Sequence, residues 1–428
     1  MKVTPLAAAI ALTLHAAGAN AANWDDTVQV RGYGTVGVVH SDEDQADYVA
    51  IADVQPKGAG YSDSWSMNVD SKQALQVDVK FTERLAATVQ LLSEGVSNNT
   101  WDGDTNDNFV PSLEWANLSY KVTNDLTVRA GRIVLPLMMV AEYRKVGYAQ
   151  HWVRPPVEAY GLVPFTSSDG LDVAYRRSVA GGMNTVRAYF GGQDTRSLPF
   201  DCHTDGWGFN ETFEKDALTL SAAFMYFKWR SPGELYAPLF NAFADMAEQE
   251  PGGQVAADLA RQFLPVYDGT FEQKIVMYDV GVSYDPGRWF VMGEVVRMES
   301  DQQVLTQTSG YVSGGYRYGS LTPYATCVRG KSQTRDGQSI PLDGLSPDTA
   351  ALGAEVDAIV GWFGRANMSQ QTFSLGVRWD FRTGFALKAQ LDHIDMDEGS
   401  RGWLNNLQPG FQPGGKLNVA SFAVDYVF

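Results

Sequence analysis

The 428-residue sequence contains only two cysteines, Cys202 and Cys327, which is too few for a fold held together by disulfide bonds. Basic residues are also scarce, since 33 Lys and Arg face 50 Asp and Glu and give a formal net charge of −17. An acidic surface repels a phosphate backbone, so we expect no nucleic-acid partner. Hydrophobic residues make up 44% of the chain and aromatic residues 12%, which excludes wholesale disorder.

Long apolar segments are missing as well. Beyond the first 21 residues, the longest apolar stretch is Ile133 to Ala141, far shorter than the ~20 residues that a membrane-spanning helix needs. Residues 1–21 have the pattern of a secretory signal, in which Lys2 precedes an apolar run and Ala19-Asn20-Ala21 forms a cleavage site. We therefore expect cleavage after Ala21 and an exported mature chain, residues 22–428.

Catalytic and metal-binding motifs are absent from the sequence. Neither a G-x-S-x-G elbow nor an H-E-x-x-H motif occurs among its 428 residues. His393 follows Asp392, but neighbouring residues of a strand point to opposite faces. The lone dipeptide Cys202-His203 does not make a metal site. The sequence predicts no enzyme, no metal and no cofactor.

What the sequence does contain is alternation between apolar and polar residues. Leu75, Val77 and Val79, for example, alternate with Gln76 and Asp78. A period of two is typical of β-strands with one apolar face. The pattern predicts about sixteen strands, near residues 27–39, 64–81, 84–94, 112–122, 125–134, 170–177, 184–192, 206–213, 217–230, 272–284, 288–299, 307–318, 321–331, 369–381, 385–397 and 416–428.

The links between these strands alternate between short and long. Long links are predicted at 40–63, 95–111, 135–169, 193–205, 231–271, 332–368 and 398–415, and only the link near 300–306 is short on that side. Long loops on one side and an even strand count are typical of outer-membrane barrels. The predicted fold is therefore all-β, a closed antiparallel transmembrane β-barrel. Residues 234–263 have helical spacing instead and predict two short helices, which either cap the barrel mouth or form a folded surface loop.

The last predicted strand, Lys416 to Phe428, ends in an aromatic residue. Phe422, Val424, Tyr426 and Phe428 share one face of it. This pattern resembles the assembly signal of outer-membrane β-barrels. The resemblance implies that the barrel-assembly machinery is a partner.

Several short motifs are spread along the chain: Val28 to Gly34, Glu114 to Tyr120, Ala130-Gly131-Arg132, the hairpin from Tyr316 to Tyr324, and Tyr426-Val427-Phe428. Together they resemble the sixteen-stranded bacterial porins of the general-diffusion type. The stretch Val153 to Gly161 is similar to that of a proteobacterial porin subgroup to which no solute is assigned. The resemblance implies a homotrimeric channel in the outer membrane of a Gram-negative bacterium, open to passive diffusion of small hydrophilic solutes and ions.

In the resembled family a long loop folds into the lumen and narrows the pore. The matching segment is 135–169, which prolines stiffen; the alternative is an outer loop over the barrel mouth. Its candidate constriction residues are Glu142, Arg144, Lys145, His151, Arg154, Glu158 and Asp169. They are mixed in sign, whereas the family loop is mainly acidic. We expect that neutralising Arg144 and Arg154 shifts selectivity toward cations and leaves folding intact.

The family also faces this loop with basic residues of the barrel wall. Candidate wall residues are Arg31, Lys80, Arg129, Arg132, Arg176, Arg187, Arg317, Arg378 and Lys388. Arg132 has outward parity, so only a bulge near Gly131 would turn it inward. Candidate opposing carboxylates are Asp78, Asp172, Glu294, Asp380 and Asp392. Opposite charges across a narrow passage produce a field that orients polar solutes.

Other functions stay open at this point. The barrel could select one solute class, or it could be a non-conducting anchor or adhesin. An energy-coupled receptor would need a plug domain, whereas the alternation begins already at Val28. Outer-membrane lipid and lipopolysaccharide are expected partners. Acidic groups on the predicted outer loops either bridge to lipopolysaccharide through divalent cations or are simply solvated; they are Asp42-Glu43-Asp44, Asp102, Asp104 and Asp107.

Overall fold

A computed structural model describes residues 27–52, 54–95, 109–197, 200–232, 237–263, 266–267, 270–301, 306–333, 340–364 and 367–428. The predicted signal at 1–21 and the acids Asp102, Asp104 and Asp107 lie outside the described residues.

Sixteen long antiparallel strands form one closed sheet, in which each strand pairs with its neighbours in chain order and the last returns to the first. Closure leaves no unpaired edge, as a bilayer requires. The predicted barrel is thus confirmed. The strands are β1 Val28–Ser41, β2 Lys72–Lys80, β3 Leu85–Glu94, β4 Ser112–Lys121, β5 Leu126–Val134, β6 Ser167–Val179, β7 Gly182–Ser197, β8 Phe200–Lys215, β9 Leu218–Pro232, β10 Thr270–Tyr284, β11 Trp289–Ser300, β12 Gln307–Tyr316, β13 Leu321–Ser332, β14 Gln370–Arg382, β15 Phe385–Met396 and β16 Gly415–Val427.

Shorter elements occupy the connections. Two-residue strands at Trp65–Ser66 and Val266–Tyr267 extend the barrel sheet, and Asp47–Tyr48, Ala59–Gly60 and Leu404–Asn405 form a small separate one. Turns of 3₁₀ helix lie at Ala141–Tyr143 and Gly147–Ala149. The α-helices are α1 Val157–Tyr160, α2 Ala237–Glu248, α3 Gln254–Phe263 and α4 Pro347–Gly364. Among the described residues, none of these helices has the length and apolar character needed to span a membrane.

The sheet has an apolar outer face because its side chains alternate. On β10, Tyr278, Val280 and Val282 are 47%, 63% and 45% exposed, whereas Met277 and Asp279, which alternate with them, are buried. Successive side chains of a strand point to opposite faces, so the exposed set faces outward and the buried set faces the lumen. An outer face of this kind fits the hydrocarbon layer of a bilayer.

The chain closes the barrel through its last residues. Phe428 exchanges both backbone hydrogen bonds with Gly32, each 3.0 Å long, beyond the end of β16. The rings of Tyr426 and Phe428 lie over Gly34 and Gly32, where a Cβ would collide with them. Glycine in β1 therefore makes room for the aromatic residues that end the chain.

One predicted link is wrong. Residues 193–205 are not a long loop, because β7 and β8 continue as a paired hairpin in which Ser197 lies opposite Phe200. The segment is polar and therefore indicated a loop, but backbone pairing does not require apolar side chains where a strand extends past the apolar band. At the opposite end, Ala180 and Gly181 form a tight turn with positive φ angles of 52° and 77°.

The two helices predicted in 234–263 are present as α2 and α3, and they pack with α4 from a second connection. Phe243, Ala247, Ala257 and Val356 are fully or almost fully buried at the contact. The sequence did not predict α4, because its apolar residues are spread around all its sides and leave no amphipathic period.

Candidate functional site

The segment between β5 and β6 folds into the barrel. Near its start, the Met139 amide donates a 2.6 Å hydrogen bond to Glu294 of β11. Farther along, the Lys145 ammonium lies 2.7 Å from the Glu94 carboxylate of β3. In the closed sheet β3 and β11 lie on opposite sides. The loop therefore crosses the lumen, as predicted, although it ends at residue 166 because β6 begins at Ser167.

An apolar core holds this loop against the wall. Inward-facing residues near the long-loop ends of three strands take part: Met225 and Phe227 of β9, Ile275 and Met277 of β10, and Val296 and Met298 of β11. They pack against loop residues that include Leu137, Trp152 and Val163. The side chains in this part of the lumen are thus packed like a protein interior, which the sequence analysis did not predict.

Below the core, toward the short turns, the lumen keeps a cavity of about 850 Å³. Charged side chains from the loop and from several strands line it. The basic ones are Arg129, Arg176, Arg187, Arg317 and Arg378, and the acidic ones are Glu142, Glu214, Asp285 and Asp380. Of the predicted wall residues, the structure brings these five arginines together here.

On one side of the cavity, two arginines share a buried carboxylate. Asp172 of β6 lies 2.9 Å from both Arg129 and Arg187. Arg187 also forms an ion pair with Glu142 of the loop. This ion pair fixes the loop beside the wall formed by β5, β6 and β7.

On the far side, Arg378 of β14 fixes the other end of the loop tip. Its guanidinium donates to the carbonyl oxygens of Tyr148 and Gln150 at 2.6 and 2.7 Å, and it lies 4.7 Å from the Tyr148 ring. It also pairs with Asp380 at 2.7 Å. The 3₁₀ turns at Ala141–Tyr143 and Gly147–Ala149 are thereby suspended between opposite walls, with charged groups at both attachments.

Four predicted constriction residues do not line the cavity but lie buried within the loop. The Arg144 guanidinium donates to the carbonyl oxygens of Tyr160 and Val163, both at 2.9 Å. Lys145 pairs with Glu94, and Glu158 accepts hydrogen bonds from Thr372 and Gln370. Arg154 pairs with Asp70 and Asp392. These groups satisfy the loop backbone and the wall, whereas Glu142 and His151 line the cavity.

Arg132 and Asp169 lie on the outer face instead of facing the lumen. Arg132 of β5 is opposite Asp169 of β6 in the sheet, and the two side chains form a two-pronged ion pair with distances of 2.6 and 2.8 Å. The register of β5 has no shift near Gly131, so the bulge that would turn Arg132 inward is absent there. The two charges neutralise each other, and Arg132 lies only two residues from the end of β5. Both facts explain how these side chains can face outward.

The remaining predicted wall residues also lie away from the cavity. Lys388 is fully buried, 2.7 Å from Asp425 and from the carbonyl oxygens of Gly147 and Trp152, so it anchors the loop. Arg31 and Lys80 are exposed near the short-turn ends of β1 and β2. Of the predicted carboxylates, Asp380 alone lines the cavity, whereas Asp78, Asp172, Glu294 and Asp392 do not.

The sequence did not predict several residues that face the lumen, for identifiable reasons. Glu114 is inward and contacts Thr166 and Lys145 because a register shift after Leu113 interrupts the alternation in β4. Asp285 and Glu214 lie at or beside short turns and were assigned to no face. The apolar wall could have been found from Phe224 to Phe227, where both faces of one strand are apolar.

His151 gives the loop a pH dependence that can be measured. Burial lowers the pKa of His151 well below its usual 6.5, and Lys388, Arg378 and Arg317 lower it further against the opposing effect of Asp285. Below about pH 6.5 the unfolded chain thus binds a proton that the folded one does not, so stability falls as the pH falls.

We expect His151→Gln to flatten this decline between pH 7 and pH 5, by at most about 1.4 kcal/mol per pH unit. The glutamine amide can replace the 2.9 Å contact of the ring with Ser313. The measurement is the unfolding temperature of both proteins at each pH, monitored by the change in gel mobility on unfolding. If the unfolding temperatures of the two proteins declined in parallel as the pH falls, His151 would not cause the pH dependence.

The described residues contain no group of three or more histidine, cysteine, aspartate or glutamate side chains that could hold a metal ion. No family model matches the sequence, and no curated protein matches it. Solved structures do match its fold.

The anion-selective porin from Comamonas acidovorans is 12% identical, with a TM-score of 0.52 and 94% of this chain and 99% of that chain covered. The outer membrane channel DcaP of Acinetobacter baumannii is 11% identical, with a TM-score of 0.51 and coverage of 94% and 98%. The trimer form of OmpT, an outer membrane protein of Vibrio cholerae, is 11% identical, with a TM-score of 0.51 and coverage of 94% and 100%. The chain therefore has the sixteen-stranded fold of the outer-membrane porins.

Proposed function

We propose that the protein is a passive outer-membrane channel for small hydrophilic solutes and ions. The observation that carries this proposal is the charged cavity inside a closed barrel whose outer face is apolar. Charges are costly to bury, so a cavity lining that contains five arginines is best explained by contact with water and solutes. The porin-like fold supports the same conclusion.

The constriction loop gives the channel its selectivity in this proposal. Arg187 with Glu142 on one wall, and Arg378 with Asp380 on the other, place charges of both signs around the passage. Charges partly shielded from water act more strongly than charges on an exposed surface. They favour polar solutes that can align with the local field and disfavour apolar ones.

Localisation and assembly follow from the same reasoning. Export through the signal at 1–21, insertion by the barrel-assembly machinery through the C-terminal residues, contact with lipopolysaccharide and assembly as a homotrimer are all parts of the proposal. The trimer rests on the likeness to outer-membrane proteins, one of which is described in a trimer form. Crosslinking in native membranes that captured only monomers would remove the trimer and leave the channel untouched.

Conductance in a planar lipid bilayer tests the proposed channel directly. We expect the purified, folded protein to produce discrete current steps in potassium chloride that scale with salt concentration. Protein denatured by boiling serves as the control and should produce none. A folded barrel that never conducts would favour the alternative of an anchor or adhesin.

A further inference from the structure

Among the residues that the structure describes, one guanidinium of the cavity takes no part in an ion pair. Arg129, Arg187, Arg317 and Arg378 each bind a carboxylate. For Arg176 of β6, no carboxylate among the described residues lies within ion-pair distance, and the side chain is exposed in the cavity. An unpaired guanidinium offers its planar fork of donors to an incoming anion, with the geometry that a carboxylate fits.

Hydroxyl groups extend this anion-binding position along the wall. In the sheet register Arg176 lies opposite Thr185 of β7, and Thr185 lies opposite Thr212 of β8. All three line the cavity. Neighbouring strands are about 4.8 Å apart, so the Thr185 hydroxyl lies on the strand next to that of Arg176. The Thr212 hydroxyl donates to the Asn210 side chain, 3.2 Å away.

Apolar side chains line the same cavity. The ion pair between Glu142 and Arg187 fixes the loop beside the same wall, and Tyr143, the next residue, is 40% exposed and lines the cavity. Met139, whose side chain lies against Gly281 of β10, and Met292 of β11 line the cavity on the side of those two strands. A passage used only by strongly hydrophilic solutes has no need of such side chains, whereas binding sites for organic molecules commonly combine apolar walls with a few polar groups.

We propose that the lumen contains a subsite for small amphipathic carboxylates, which bind Arg176 through the carboxylate and Tyr143 through an apolar or aromatic body. The inference rests on the proposed function, since it names the class of solute that the channel prefers. Glu214 weakens the binding of anions at this subsite. Its carboxylate lies on β8 nearer the short turn, opposite Met183, and it repels anions from the same wall.

The test uses benzoate as the probe, with two ions that each lack one half of its chemistry. Acetate has the carboxylate without the ring, and benzylammonium has the ring with the opposite charge. Benzoate is expected to reduce the single-channel current in potassium chloride with half-block in the low millimolar range, roughly −4 kcal/mol of binding. At the same concentrations, acetate and benzylammonium should have little effect.

Variants at three positions separate the parts of the subsite. Arg176→Gln should raise the half-blocking benzoate concentration about tenfold, as expected for the loss of a charge-assisted contact. Tyr143→Ser should raise it about threefold or more through lost apolar contact, while Tyr143→Phe should match the parent. Glu214→Gln should lower it. Arg297→Gln is the control, because this arginine pairs with Glu299 on the outer face.

Each contrary result has a definite meaning. Equal block by acetate or by benzylammonium would overturn the amphipathic subsite, as would benzoate block that Arg176→Gln leaves unchanged. Calorimetric titration of the folded protein with benzoate reports binding without any current. A protein that binds benzoate and never conducts would therefore retain the subsite and overturn the channel, whereas one that conducts without binding or block would do the reverse.

Discussion

Replacing Arg154 by methionine is expected to destabilise the folded protein by about 3–5 kcal/mol, the range for breaking a buried ion pair. The guanidinium pairs with Asp70 through contacts of 2.7 and 2.8 Å and also reaches Asp392 and Tyr48. Burial alone would lower the pKa of Arg154, but Asp70, Tyr48 and Asp392 hold it well above its ordinary value, so the charge persists. Without Arg154, two buried carboxylates would lose their partner.

The measurement is the temperature at which the compact gel band of the folded barrel converts to the unfolded band, together with protease sensitivity of the loop. Arg329→Met is a matched control, because Arg329 forms a similar ion pair with Asp397 in which both side chains are a third or more exposed. It should cost less than about 1 kcal/mol. Combining Arg154→Met with Asp70→Asn should recover part of the loss. Equal effects of the two single variants would contradict the anchoring role.

The positions of Arg144 and Arg154 in the structure change what the sequence led us to expect of these two residues. Both were expected to face the pore, so that their neutralisation would alter selectivity and leave folding intact. The structure instead buries Arg144 against the carbonyl oxygens of its own loop and Arg154 between loop and wall. Any change in conductance from these two substitutions is therefore expected to come from displacement of the loop.

The barrel itself could be predicted from sequence because its rules are local. Alternation fixes which side chains share a face, and a barrel that closes with antiparallel pairs throughout has an even number of strands. Arg129, Arg176 and Arg187 were assigned to the lumen on parity alone, and they line one wall of the cavity. The same argument failed at Glu114, where one register shift in β4 reversed the face.

The interior of the barrel was harder to predict because its contacts are distant in the chain. Arg154 binds Asp70 and Asp392, and nothing in the spacing of these residues indicates that they meet. The same holds for Lys388, whose ammonium is held by Asp425 and two loop carbonyl oxygens. A basic residue of inward parity can either face the passage or support the loop, and only the path of the loop decides between them.

The path of the loop indicates that two of its segments have different roles. Residues 152–163 contribute to the apolar core and include the Arg154 anchor, while the tip, residues 141–150, contributes Glu142, Tyr143 and Tyr148 to the cavity. Stability should therefore depend mainly on residues 152–163, and permeation should depend mainly on the tip, residues 141–150. Shortening the tip alone separates the two roles.

Replacing residues 141–150 by a short glycine–serine linker is expected to at least roughly double the single-channel conductance, because it removes the groups that narrow the passage. The barrel should still fold, since Arg154 and the apolar core remain. Some stability will be lost, because Lys145 no longer neutralises Glu94 and Arg378 loses the carbonyl oxygens of Tyr148 and Gln150.

A second variant keeps the length of the tip but substitutes glycine and serine at every position, which separates the side chains from the backbone. Conductance in planar bilayers should rise in both variants, and more in the shortened one, because its backbone no longer crosses the lumen. Gel mobility before and after heating verifies that each barrel is folded. If both conducted like the parent, the narrowest point of the passage would lie elsewhere, and neither Glu142 nor Tyr148 would control permeation.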